Sequence, residues 1–231
     1  MKRSMRTSHI QRNVYAEFHP AIKKITNNRM KTYISLLVSF CVVVLGASAQ
    51  DIHSIAIGTT LPSATVKIKD VGGKELTLSQ MKEKNGLLVM FSCNTCPYVI
   101  KNQERTKEIC NYAKSKGFGV VLLNSNETAR DGGDSYEAMK KYATAQNYSW
   151  VYAVDENSQI ANAFGASRAP EVYVFDKNDK LVYKGAIDDN PGNADGVKRQ
   201  HLKLAIDATV EGKDVAVKES RSVGCAIKRP S

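Results

Sequence analysis

The 231-residue chain holds five cysteines but a single Cys-x-x-Cys, Cys93 with Cys96, and no His-x-x-x-His. A structural zinc site needs four nitrogen or sulfur ligands, so the second half of such a site is missing. The apolar run Ile34 to Leu45 is too short to span a bilayer comfortably as a helix of the mature protein. Aromatic residues amount to 7% of the chain, and after residue 49 no basic stripe is interleaved with them, which removes the usual footprint of a nucleic-acid binder.

The formal net charge of +10 has a local origin. Met30-Lys31, the run Ile34 to Leu45 and the small residues Ala47-Ser48-Ala49 before Gln50 together read as a cleaved secretory signal over 30–49. Residues 1–29 are basic, with Lys2, Arg3, Arg6, Arg12, Lys23, Lys24 and Arg29 against Glu17 alone. Either translation starts at Met30, or this segment is a long basic n-region of the signal. Cys41 follows Phe40 inside the apolar run and should be lost with the signal rather than carry a lipid. Without Met1 to Ala49 the net charge falls to +3, and the remaining 182 residues, 50–231, suffice for one domain with a full core. Export, periplasmic or extracellular, places the chain where disulfides persist and where a dithiol needs an electron source.

The chemistry concentrates between Leu87 and Cys110. Leu87-Leu88-Val89-Met90-Phe91 reads as a strand buried on both faces. A helix should follow at once, with Val99, Thr106, Ile109, Cys110 and Ala113 on its inner face. Cys93 and Cys96 then sit where strand turns to helix. Unpaired N–H groups and the helix dipole at that point favour an anion, so Cys93 is expected to titrate below its free value and to act as the nucleophile, with Cys96 resolving. A purely structural Cys93–Cys96 disulfide closes too small a loop to restrict the unfolded chain much.

Phe91-Ser92-Cys93-Asn94-Thr95-Cys96-Pro97-Tyr98-Val99 resembles the Cys-Asn-x-Cys-Pro motif of a peroxiredoxin-like subfamily. Ile57-Gly58 with Leu61-Pro62, Leu123-Asn124-Ser125-Asn126 and Gly224-Cys225-Ala226-Ile227-Lys228 agree in order. On these pieces, from Ile55 to Lys228, the chain is similar to the redoxin group of the thioredoxin-like superfamily, which includes the alkyl hydroperoxide reductase and thiol-specific antioxidant proteins. The resemblance implies an α/β fold: a thioredoxin-like three-layer sandwich, its central mixed sheet opened by an N-terminal β-hairpin and covered by helices on both faces. It also implies that Pro170 is a cis proline facing Cys93 and Cys96, and that the Ala169 carbonyl receives the substrate chain as an added strand.

The remaining elements fit that outline. Ala64 to Ile68 and Glu75 to Leu78 form the hairpin; Phe118 to Leu123, Trp150 to Val154, Val172 to Phe175 and Leu181 to Lys184 read as strands. Asp134-Ser135-Tyr136-Glu137 reads as a capping box opening a helix over Ser135 to Gln146, and Lys198 to Val210 as a closing helix with Leu202, Leu204, Ala205 and Ala208 inside. Arg130 lies in the loop at the carboxyl edge, free to reach the cysteines or to remain solvated. Cys110 reads as a buried free thiol. Cys225 has two readings: a thiol packed under the tail, or a third redox cysteine that the tail carries towards Cys93.

Two departures bear on mechanism. Met90 stands three residues before Cys93, where a peroxiredoxin has threonine, and the 87–91 strand lacks the buried acid of thioredoxin. A proton donor for Cys96 must then be water or a group from another loop. The function expected is an exported thiol–disulfide oxidoreductase whose Cys93/Cys96 dithiol exchanges disulfides with a protein partner, a membrane thiol transducer being the kind its compartment offers. It needs no metal or organic cofactor. The alternative is a thiol peroxidase in which Cys96 condenses with a Cys93 sulfenic acid. A Cu(I) chaperone is the remaining reading, for which His53 and His201 offer no evident third ligand beside the thiolates.

Overall fold

The computed structural model describes residues 53–230. The signal expected over 30–49 and the basic segment before it lie outside those residues. The sheet begins at one edge with a hairpin, β1 (Lys67–Asp70) and β2 (Glu75–Thr77), in which Ile68 pairs with Leu76. The strand expected from Ala64 starts three residues late because Ser63 to Val66 turn, with Val66 N donating to the Ser63 carbonyl at 3.1 Å. α1 (Leu78–Met81) is capped by Thr77, whose hydroxyl accepts from the Gln80 N–H while the Gln80 side chain accepts from the Thr77 N–H.

Two strands buried along their whole length then make the centre. β3 (Gly86–Ser92) is buried at every position, and α2 (Pro97–Lys101) and α3 (Gln103–Ser115) carry the chain back to β4 (Phe118–Asn124), also buried throughout. α4 (Tyr136–Ala145), β5 (Val151–Val154) and α5 (Gln159–Phe164) follow. A two-residue strand β6 (Arg168–Ala169) precedes β7 (Glu171–Asp176), β8 (Leu181–Gly185), α6 (His201–Val210) and a second two-residue strand, β9 (Cys225–Ala226). The main sheet has seven strands in the order β2-β1-β5-β4-β3-β7-β8. β3, β4 and β5 run parallel at its centre, and the flanking pairs are antiparallel.

Strand periodicity divides the core into two halves. Leu88 and Met90 join Ile109, Cys110, Ala113, Met139 and Ala205 on one face. Leu87, Val89 and Phe91 join Leu78, Ile160 and Phe164 on the other. Each buried Leu, Ile, Val, Met or Phe among them contributes about 1.5–3 kcal/mol. On the second face Phe91, Phe164 and Tyr173 meet edge to face with centroids 5.2–5.7 Å apart. This is the expected three-layer sandwich.

Three local expectations change. The single helix after the cysteines is broken at Asn102, whose buried side-chain amide donates to the Tyr98 and Pro191 carbonyls at 2.7 and 3.1 Å. That side-chain amide takes a carbonyl of the preceding turn and ties the break to the 190s loop. α6 begins at His201 rather than Lys198, and Leu204, expected inside, is 46% exposed while Leu202 and Ile206 are buried. Ser135 caps α4 by accepting from the Ala138 N–H, so no Glu-based capping box forms, and Asp134 turns away into the site.

Candidate active site

β3 delivers the chain to Cys93, and Cys96 occupies the cap of α2 with Pro97 in its first turn. A proline there fits because that N–H has no helical partner. Both sulfurs are sealed: Cys93 is 1% exposed and Cys96 3%. They pack with Val99 and Ala169 in a small apolar cluster, and Cys225 lies against it. The Ala169–Pro170 peptide is cis.

The disulfide in the structure joins Cys96 to Cys225, with their Cα atoms 6.0 Å apart, and Cys93 is a free thiol. The sequence had suggested Cys93 with Cys96. Chain pairing accounts for the difference: β9 lies antiparallel to β6, with Cys225 opposite Ala169 and Ala226 opposite Arg168. The Cys96 sulfur in turn lies 3.3 Å from the Ala169 carbonyl oxygen, so β9 brings Cys225 directly to it. Cys110 is a buried free thiol on α3, as its spacing implied.

Cys93 also departs from expectation in its acidity. Burial raises its pKa, and the negative charge of Asp134 raises it further. The backbone N–H groups of Cys96 and Thr95 and the Asn126 side chain pull the other way without prevailing. A five-residue helix offers little dipole against desolvation of this extent.

Asp134 organises the motif loop from behind. Its Oδ1 accepts from the Asn94 N–H at 2.7 Å and from the Asn124 amide at 3.0 Å. Its Oδ2 accepts from the Thr95 hydroxyl at 3.1 Å and the Asn126 amide at 3.0 Å. The Asn94 amide donates to the Gly133 carbonyl, and the buried Tyr152 hydroxyl donates to Asn94 Oδ1 at 2.8 Å. Asn126 Oδ1 accepts from the Lys228 N–H at 2.9 Å, which links this network to the tail. On the other side, Glu171 Oε2 accepts from the Ser167 and Arg168 N–H groups and fixes the approach to Ala169.

The structure places Cys93, Cys96 and Ala169 in one cluster with the cis Pro170 next to Ala169, and the sequence left Arg130 open. Arg130 neither reaches the cysteines nor stays solvated: it donates to the Asp134 and Asn124 backbone carbonyls at 3.0 and 2.9 Å and pins the loop. The sequence assigned Asp134, Asn94, Asn124, Asn126, Tyr152 and Glu171 no chemical role beside the cysteines. The available signal was a run of polar residues, Asn124 to Asn126, directly after a buried strand at the carboxyl edge of the sheet. A groove lined by Arg105, Ile109, Tyr112, Asp188 and Lys203 has no cysteine on its walls. Among the described residues no group of three His, Cys, Asp or Glu could hold a metal ion.

The redoxin family model matches residues 56–200, which include β3, the Cys93/Cys96 turn and Pro170. The chain belongs to the redoxin family. Two solved structures resemble this redoxin over most of its length. A hypothetical protein from Sinorhizobium meliloti is 33% identical with a TM-score of 0.71, covering 78% of this chain and 97% of that one. An uncharacterized conserved protein from Geobacillus kaustophilus is 35% identical with a TM-score of 0.71, covering 76% and 94%. Among curated proteins, the thiol-disulfide oxidoreductase ResA of Geobacillus thermodenitrificans is 22% identical over 128 residues, 55% of this chain and 68% of that protein. Within the described residues of the redoxin no helix is long and apolar enough to cross a membrane.

Proposed function

We propose that this redoxin, an oxidoreductase by family, is an exported thiol–disulfide oxidoreductase whose Cys93 and Cys96 exchange disulfides with a protein partner. Cys93 attacks, Cys96 resolves, and the edge formed by Ala169 and Pro170 receives the partner chain. The observation that carries this reading is the mode in which β9 is held: an extended, cysteine-bearing segment paired with Ala169 and disulfide-bonded to Cys96. A partner strand in the same register would bring its disulfide into the cluster that Cys93 and Cys96 share, with Cys93 left to attack it. Main-chain pairing would supply affinity and the cysteine the chemistry. Asp134 is the nearby acid, contributed by a loop where the central strand has none. Export rests on the signal-like 30–49 segment, and a membrane thiol transducer is the kind of electron source such a compartment offers.

A peroxidase reading has one observation in its favour. With β9 docked, Cys93 is 1% exposed, which bars a polypeptide and leaves only a small oxidant able to reach it through local opening. One comparison separates the two readings. The reduced protein is mixed with insulin disulfides in one series and hydrogen peroxide in another, with Cys93→Ser and Cys96→Ser as controls. Disulfide exchange well above that of a free thiol, reduced at least a hundredfold in both variants, is expected, with peroxide reacting at a free-thiol rate. Fast peroxide consumption lost with Cys93→Ser, without insulin turnover, would make the protein a peroxidase instead.

A further inference from the structure

We propose that Cys225 is an internal exchange partner, and that the tail is a built-in substrate strand through which the disulfide moves from Cys93–Cys96 to Cys96–Cys225. The proposal rests on the exchange reading above and concerns the same dithiol.

The tail is seated by more than its sulfur. Besides the Ala169–Cys225 and Arg168–Ala226 pairs, the Ile227 N–H donates to the Ser167 carbonyl at 3.1 Å, extending the register beyond the cysteine. Ile227 is buried in the core half that holds Phe91 and Phe164. The Lys228 N–H reaches Asn126, the Thr128 N–H donates to the Lys228 carbonyl at 3.2 Å, and the Arg229 guanidinium donates to Asn162 at 2.7 Å. Immediately before the cysteine, the Arg168 guanidinium donates to the Gly224 carbonyl at 3.1 Å. A Cβ on Gly224 would overlap the Ala169 carbonyl oxygen, so close approach of this strand to the platform requires glycine there. These contacts hold the Cys225 sulfur at Cys96 whether or not the bond exists. Residues 221–223 are free of regular structure, and β9 is only two residues long, so the strand can also leave.

Exposure divides the labour among the three thiols. Cys93 and Cys96 are closed to solvent, whereas Cys225 is half-buried and so offers an outside thiol a point of attack. The step is a thiol–disulfide exchange without net redox change. The Cys225 thiolate attacks Cys96 Sγ, the Cys96–Cys225 bond forms, the Cys93–Cys96 bond breaks, and Cys93 leaves as a thiolate that takes up a proton. An external dithiol then attacks Cys225 Sγ and resolves its own mixed disulfide with its second thiol. Two electrons enter, and Cys96 and Cys225 return to thiols.

The test follows bond order in time in the reduced full-length protein after one equivalent of diamide, a two-electron thiol oxidant. Samples are quenched in acid, alkylated, and mapped by peptide mass. In the wild type, Cys93–Cys96 is expected first and decays into Cys96–Cys225. Cys225→Ser should stop at Cys93–Cys96. Gly224→Val, which keeps the thiol but spoils the seat, should slow the transfer at least tenfold. In Cys93→Ser, Cys96–Cys225 should form at least tenfold more slowly than in the wild type. If Cys93→Ser forms it at the wild-type rate, the bond is a directly made structural bridge and the relay is wrong, while exchange through Cys93 and Cys96 stands. If Cys225→Ser forms no disulfide and turns over no insulin, the exchange reading itself falls, and the relay with it.

Discussion

Asp134 makes the electrostatic character of the site readable at a single residue. Four donors converge on its two oxygens, two of them from the motif loop itself, so the carboxylate both shapes Asn94-Thr95 and opposes a thiolate at Cys93. Removing the charge removes a repulsion that raises the Cys93 pKa. Asp134→Asn is therefore expected to move the pH profile of Cys93 alkylation in the reduced protein to lower pH and to speed alkylation at pH 7. The same change sets an amide donor against groups that donate, at a cost of about 1–3 kcal/mol, visible as a lower urea midpoint. An unchanged or higher alkylation profile would mean that Asp134 acts on Cys93 by geometry alone. The two motif cysteines were legible in the sequence because their spacing and strand-to-helix setting are local. Asp134 was not, because an acid one residue before a helix-capping serine reads as part of the cap, and only the return of the loop onto Asn94 reveals its other role.

Elements show the same division between local and non-local information. β3 and β4 could be placed from composition, since unbroken apolar runs between turn signals have few other homes. β6 and β9 could not, because two residues carry no periodicity and their pairs, Arg168 with Ala226 and Ala169 with Cys225, join distant parts of the chain. The disulfide partner of Cys96 was hidden for that reason. The break between α2 and α3 was equally invisible, since it depends on the Pro191 carbonyl meeting Asn102. Asn102→Ala removes this donor from two part-buried carbonyls, which keep the Asn102 N–H and the Arg105 guanidinium as partners, and is expected to lower stability by about 0.5–1.5 kcal/mol, measured by urea unfolding. An unchanged midpoint would show that the break is set by the backbone and not by this side chain.

The whole molecule buries many groups that would ionise in alkali. Burial raises the pKa of the Cys93 and Cys110 thiols and of the Tyr148, Tyr152 and Tyr173 phenols, and pushes Tyr183 up to about 12. In the unfolded chain thiols titrate near about 8.5 and phenols near about 10. Above those values the unfolded state holds fewer protons than the folded one, so stability falls as pH rises. The urea midpoint is expected to stay level between about pH 6 and 8, decline as the unfolded thiols ionise, and drop more steeply once the unfolded phenols do. A midpoint constant from pH 8 to about 11 would contradict the burial of these groups. One consequence of the docked tail belongs to the protein in dilute solution. Because Cys225 is tethered to the chain that holds Cys96, its thiol competes with outside thiols at an effective concentration on the order of millimolar or higher, however few molecules are present. A more dilute monothiol pool therefore leaves the Cys96–Cys225 bond closed, and the bond opens to a dithiol that can complete the exchange before the tail returns.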